Sequence, residues 1–490
     1  MAYVIRDPPL SRPRPAPTGL SMARCLLIMT AMPTLTVDNP FTLNTAVEVP
    51  LSEWPEIERT LDAAREGARI AAAMPLAERK QLVERAVALM EQRAESIAND
   101  ISRMMGKPVG QASGELRTMA TRARVVIELA DAALAPIDAG GDDGIVRRIL
   151  KLPLGVVLDL PAWNYPLLTA INAIAPAVLA GNAVIVKHSP RTPLVGRMFA
   201  DAFRDAGADP RVVQALDCTH ELTERMVGDE RIDHVVFTGS VHGGRRISQA
   251  AAGRFLQIGY ELGGNDPAYV AIDADVARCI ENLVDGAMYN AGQSCCAVER
   301  AYVHARHYAA FVEGARKAAE AYVLGDPLVA TTNMGPIAQP QHIAELEGMV
   351  RDALRAGATL VTGGKATQAD GRGRFFQPTV LADVPPDAHV MKNEQFGPIL
   401  AVQRVNSDEE ALERMNDSVF GLTASVWTSD RARAERFGLA LRTGTVFMNR
   451  CDHVDPRLPW SGVGLSGRGH SLSVLGFDQL TRTRSLHFKD

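Results

Sequence analysis

The chain has 490 residues, 47% of them apolar and 22% charged, with 57 acidic side chains against 52 Lys and Arg. Those proportions belong to an ordinary globular protein, and the length to about three domains rather than one core. The near-balanced charge, with no basic block, excludes nucleic acid as a partner. Six cysteines without finger spacing predict neither a disulfide framework nor a metal site, as suits a reducing, cytoplasmic setting.

Residues 1–35 carry Pro8, Pro9, Pro13, Pro15 and Pro17 among scattered Arg and offer nothing to bury, so a loose arm is predicted. From Glu53 to Leu134 apolar residues recur at helical spacing, as in Leu82, Val83, Ala86, Val87, Leu89 and Met90. Met105-Gly106-Lys107-Pro108 interrupts that run, and a helix end made by Gly and Pro suffices to explain it. Asp138 to Leu152 is first rich in Gly and Asp and then β-like. Leu160 to Val186 holds no charge, yet Pro161, Pro166, Asn172, Pro176, Gly181 and Asn182 break it too often for a lipid-facing helix. It reads as buried α/β structure, with no membrane contact.

Strands then alternate with helices: Val156–Leu158, Ala183–Val186, Val212–Leu216 and Val235–Phe237. Short apolar runs so spaced predict an α/β fold with a doubly wound parallel sheet, which binds ligands beyond the carboxyl ends of its strands. Phe237-Thr238-Gly239-Ser240 leaves its strand in that direction. A second alternating block runs from about Pro267 to Asn449, with strands at Ala268–Val270 and Ala301–Val303 and helices from Asp275 and Tyr308. The tail, His470 to Asp490, ends in an edge strand around Arg484–Phe488.

Three stretches carry chemistry: Pro161-Ala162-Trp163-Asn164-Tyr165-Pro166, Tyr260-Glu261-Leu262-Gly263-Gly264-Asn265, and Asn290-Ala291-Gly292-Gln293-Ser294-Cys295-Cys296. Each alone has a bland reading. Cys295 would be a small buried hydrophobe, Glu261 a solvated surface acid and Asn164 a helix N-cap. In this order and at these distances they resemble the aldehyde dehydrogenase superfamily, and the likeness runs from about Val37 to the C-terminus.

The resemblance implies two doubly wound parallel-sheet domains plus a small β bridging element. Residues 36–134 and 153–262 would bind NAD or NADP, 263–469 would form the catalytic domain, and 135–152 with 470–490 would bridge subunits of a homodimer or homotetramer. It implies that Cys295 is the nucleophile toward an aldehyde, with Asn164 and the Cys295 backbone N–H receiving the oxyanion. Glu261 would be the base that hydrolyses the resulting thioester, a base that relatives using coenzyme A generally lack. Pro161, Trp163, Lys187, Ser189, Leu262 and the turn through Gly239, Ser240 and Gly244 would hold the dinucleotide. Glu394 and Phe396 would hold its nicotinamide ribose. No metal is called for.

The chain also departs from the family pattern. Pro190 stands where relatives preferring NAD often place a ribose-binding Glu, so NADP should be tolerated, with Arg191 as an attractor for the 2′-phosphate. Asp217-Cys218-Thr219 replaces a glycine-containing turn, and Pro459-Trp460-Ser461-Gly462-Val463-Gly464 lacks the usual Gly and Lys. Leu168, Asn172, Val454 and Trp460 would line the substrate tunnel. Relatives that take a semialdehyde often carry Arg at the place of Asn172, so an uncharged aliphatic or aromatic aldehyde is favoured, unless Arg457 compensates. The rival functions are a cofactor-independent thiol esterase and a catalytically retired binding protein on the same fold.

Overall fold

The computed structural model describes residues 33–141 and 144–489. Thr34 and Leu35, assigned to the loose arm, belong instead to a strand: Thr34–Asp38 pairs antiparallel with Thr45–Pro50. The rest of the predicted arm, residues 1–32, lies outside the described residues.

The helical region is four helices, Trp54–Ala73, Leu76–Gln92, Ala94–Met105 and Val109–Leu134. Pro75, at the first boundary between them, has no N–H to continue a helix. At the last boundary Gly106 takes φ 84, a left-handed cap that a Cβ would disfavour. The sequence account of that break was incomplete. Lys107 is buried, ion-paired to Glu115, and its ammonium lies 4.0 Å from the centre of the Tyr165 ring.

The first sheet has six strands in the order Gly467–Arg468, Gln257–Glu261, His234–Thr238, Val156–Leu160, Ala183–Val186 and Val213–Ala215. All pairings are parallel except that of Gly467–Arg468 with Gln257–Glu261. Strand order reverses beside Val156–Leu160, so the crevice for a ligand opens between Leu160 and Thr238. The uncharged run from Leu160 to Val186 is a strand end, the helix Pro166–Ala180 and a strand, wrapped in helices. No helix of the described residues is long and apolar enough to cross a membrane.

The second sheet has seven strands, in the order Thr359–Thr362, Thr379–Ala382, Ile399–Val405, Val298–His304, Asp266–Val270, Thr423–Trp427 and Thr445–Met448. It too is parallel, save for its first, antiparallel pair. The link Leu262-Gly263-Gly264-Asn265 joins the end of one sheet to the start of the other. A third, antiparallel sheet pairs Ile145–Pro153 with Thr481–Lys489 along its whole length, and adds Ile137–Asp138 on the other side. Ile137, Val146 and Phe488 stand exposed on it.

Candidate active site

Cys295 lies three residues before the strand Val298–His304, at the amino end of the central strand of the second sheet. The loop delivering it has three consecutive left-handed residues: Asn290 at φ 54, Ala291 at φ 56 and Gly292 at φ 68. Such a run persists only where surroundings impose it. Here the Asn290 Nδ2 donates to the carbonyls of Asn164, at 3.2 Å, and Gln293, at 3.1 Å. Gln293 Nε2 donates back to the Asn290 carbonyl, and its Oε1 accepts from the Ala338 N–H. A Cβ on Gly292 would come within 2.2 Å of the Gly397 backbone. Cys295 emerges half-buried, while Cys296 points inward and donates to Asp452 at 3.0 Å. The hydrogen bond with Cys295, together with burial, pushes the Cys296 thiol well above the usual range, and burial raises Asp452 to about 6.

Asn164 follows the strand Val156–Leu160 and is buried. Its side chain does not cap the helix that follows, whose N-cap is Tyr165. Instead Nδ2 donates to the Gln293 carbonyl at 3.2 Å. An amide nitrogen carries two hydrogens, so a second donor remains beside the Cys295 loop.

Glu261 ends the strand Gln257–Glu261. One carboxylate oxygen accepts from the Ser471 hydroxyl at 3.0 Å, and the other is buried without a partner. Desolvation raises its pKa to about 8, opposed by hydrogen bonds from Ser471. The next residues must be glycine. A Cβ on Gly263 would sit 2.2 Å from a Glu394 carboxylate oxygen, and one on Gly264 would sit 2.2 Å from the Cys295 carbonyl.

Along the crevice of the first sheet, Pro161 and Trp163 leave one strand and Gly239 and Ser240 leave its neighbour. Ser240 caps the helix Val241–Ala250, accepting from the Gly243 N–H at 3.1 Å. Gly243 and Gly239 leave room for the Phe237 ring, and Gly244 for Leu262. Lys187, just past the strand Ala183–Val186, is buried rather than a surface charge, and burial depresses its pKa. Its ammonium has neither an ion pair nor a hydrogen bond among the described residues. An unanswered cation and a capped helix N-terminus beside the strand reversal suit a dinucleotide's ribose and pyrophosphate. On the second sheet's side, Glu394 accepts from the Gly264 N–H at 3.0 Å, and burial raises it to about 8. Phe396 takes φ 51, held by its N–H on Glu299, and its ring meets Trp163 edge-on with centres 5.6 Å apart.

A cavity of about 820 Å³ opens onto this constellation and is lined by Cys295, Cys296, Glu261, Thr238 and Leu262. Leu168, Asn172, Val454 and Trp460 line it too, and so does Arg122. The model of the Aldehyde dehydrogenase family matches residues 28–486. The chain belongs to the aldehyde dehydrogenase family.

Relatives agree. A probable NADP-dependent succinate-semialdehyde dehydrogenase of Synechocystis is 33% identical over 91% of this chain and 98% of its own length. The succinate semialdehyde dehydrogenase Sad of Escherichia coli, acting with NAD or NADP, is 32% identical over 91% of this chain and 96% of its length. Among solved structures, lactaldehyde dehydrogenase of Escherichia coli superposes with a TM-score of 0.90 at 29% identity, covering 94% and 97% of the two chains. The aldehyde dehydrogenase described here is accordingly an oxidoreductase of the aldehyde group that uses a nicotinamide cofactor.

Two readings of the sequence need correction. Arg191 does not face a 2′-phosphate: it is buried, Nη2 donates to the Asp38 carbonyl at 2.7 Å, and Nη1 pairs with the Asp38 carboxylate, which Arg374 shares. Nor does Arg457 compensate for the missing Arg at Asn172, because it is exposed and paired with Glu128 at 2.8 Å. The cation at Asn172 is Arg122, whose Nη1 donates to Asn172 Oδ1 at 2.9 Å. Sequence reasoning also missed Ser471 and Asp452. Neither lies in a motif, and both reach the aldehyde dehydrogenase site from loops more than 150 residues away in sequence.

Proposed function

We propose that this aldehyde dehydrogenase converts its substrate to a free carboxylic acid through a thioester on Cys295. The observation that carries the reading is that Cys295 and Glu261 line one cavity, together with Thr238 at the end of its strand in the first sheet. The Cys295 thiolate adds to the aldehyde carbon, and the oxygen that gains charge receives the Asn164 side-chain N–H and the Cys295 backbone N–H. A nicotinamide held beside Glu394 and Phe396 would supply the hydride acceptor for oxidation of the adduct to a thioester. Glu261, as carboxylate, takes a proton from the water that attacks the thioester, and Cys295 leaves as thiolate.

For the dinucleotide we assign Pro161, Trp163, Lys187, Ser189, Gly239, Ser240, Gly244, Leu262, Glu394 and Phe396. The six-stranded sheet with its helices forms the cofactor domain and the seven-stranded sheet the catalytic domain. NAD and NADP are both accepted, for Pro190 sets no carboxylate against a 2′-phosphate, and Arg191 has no part in it. The three-stranded sheet, with its exposed Ile137, Val146 and Phe488, joins subunits of a homodimer or homotetramer. Free thiols throughout the described residues support a cytoplasmic setting. The thiol-esterase alternative lacks its base: no histidine hydrogen-bonds Cys295 among the described residues.

The test is formation of NADH and NADPH over an aldehyde panel by the wild type beside Cys295→Ala. The wild type should turn over and the variant should not. Equal turnover by both, or cofactor binding without turnover by the wild type, would refute the reading.

A further inference from the structure

Arg122 projects from the helix Val109–Leu134 toward the helix Pro166–Ala180 and is buried, yet it lines the substrate cavity. Among the described residues its hydrogen bond is from Nη1 to Asn172 Oδ1, and Nε is buried without a partner. No ion pair answers its charge among the described residues. The carboxylates around it are engaged elsewhere. Glu115 pairs with Lys107 and accepts the N–H groups of Leu167 and Leu168. Asp452 accepts from Cys296 and Ser294, and Glu128 holds Arg457. A buried guanidinium left without an anion is strongly disfavoured unless something that binds there supplies one. Its planar fork matches the two oxygens of a carboxylate. Even with its pKa lowered to about 10 by burial, the group stays charged at neutral pH.

Resting on the aldehyde dehydrogenase reading of this cavity, we infer that Arg122, positioned by Asn172, binds a carboxylate at the far end of the substrate, so that the preferred substrates are aldehydes of dicarboxylic half-acid type. This replaces the uncharged aldehyde that Asn172 alone suggested. The anion-binding group comes from the neighbouring helix, and Asn172 serves as its hydrogen-bond anchor.

The experiment compares kcat/KM for succinic semialdehyde and for butanal, which has the same chain length and a methyl in place of the carboxylate, in wild type, Arg122→Lys and Arg122→Met. The wild type should prefer the semialdehyde by about tenfold or more, the scale of one charge-assisted pair. Arg122→Met should collapse that ratio through a raised KM for the semialdehyde, and Arg122→Lys should restore part of it. A wild-type ratio near one, or a ratio that Arg122→Met leaves where it was, overturns the assignment. The wild-type ratio decides even if Arg122→Met does not fold. Oxidation of butanal without preference sinks the Arg122 assignment alone; oxidation of neither aldehyde, with cofactor bound, sinks the enzymatic reading beneath it.

Discussion

Ser471→Ala should move the pH dependence of thioester hydrolysis upward. Glu261 has one carboxylate oxygen on the Ser471 hydroxyl at 3.0 Å and the other buried without a partner, with a pKa near 8 set by desolvation. A hydrogen bond to a charged group contributes roughly 1.5–3 kcal/mol, which at about 1.4 kcal/mol per pH unit is a rise of about one to two units when it is removed. The sign follows from the carboxylate being the active base: a higher pKa means less base at any pH below it. At pH 7 the ionised fraction would fall from about a tenth to between about a hundredth and a thousandth, slowing hydrolysis about ten- to a hundredfold. At pH 10 the deficit should largely vanish. The assay is stopped-flow nicotinamide absorbance, in which the burst reports acylation and the steady phase reports hydrolysis. An unchanged midpoint for the steady phase, or an equal loss at every pH, would refute the role given to Ser471.

Asn164→Ala should lower the burst rate by about a hundredfold, the typical cost of one oxyanion donor, with cofactor affinity held. A change confined to KM, seen in steady-state titration, would reassign Asn164 to loop packing through its bond to Gln293. Arg191→Met should lower stability by about 2 kcal/mol in denaturant unfolding, less than for a wholly buried pair because Asp38 is a third exposed and keeps Arg374. The NADP to NAD ratio of kcat/KM should not move; a fall would return Arg191 to the cofactor.

Local sequence carried the fold and the chemistry where the deciding interactions are local. The alternation of apolar runs gave the sheets, and the Gly-Gly after Glu261 marked a close approach that the structure places against Glu394 and the Cys295 carbonyl. What stayed hidden depends on pairs brought together only by the fold. Nothing in Thr121-Arg122-Ala123 says that the guanidinium turns inward to Asn172, fifty residues on. Arg191 looked available because Asp38, 153 residues earlier, could not be seen beside it. Lys107 was concealed by a sound explanation of its neighbours, for Gly106 and Pro108 account for the helix break without it.

The left-handed run at Asn290, Ala291 and Gly292 has a bearing on how the molecule comes to be active. Its supports arrive from Gln111, 179 residues away, from Asn164, 126 residues away, and from Ala338, 45 residues beyond Gln293. Until those segments have docked, nothing offsets the strain, and loop closure over such spans is entropically slow to reward. The nucleophile is therefore set only when both sheets have met. On dilution from denaturant, helical ellipticity should return first and catalytic competence last, the bent loop being the final piece to lock.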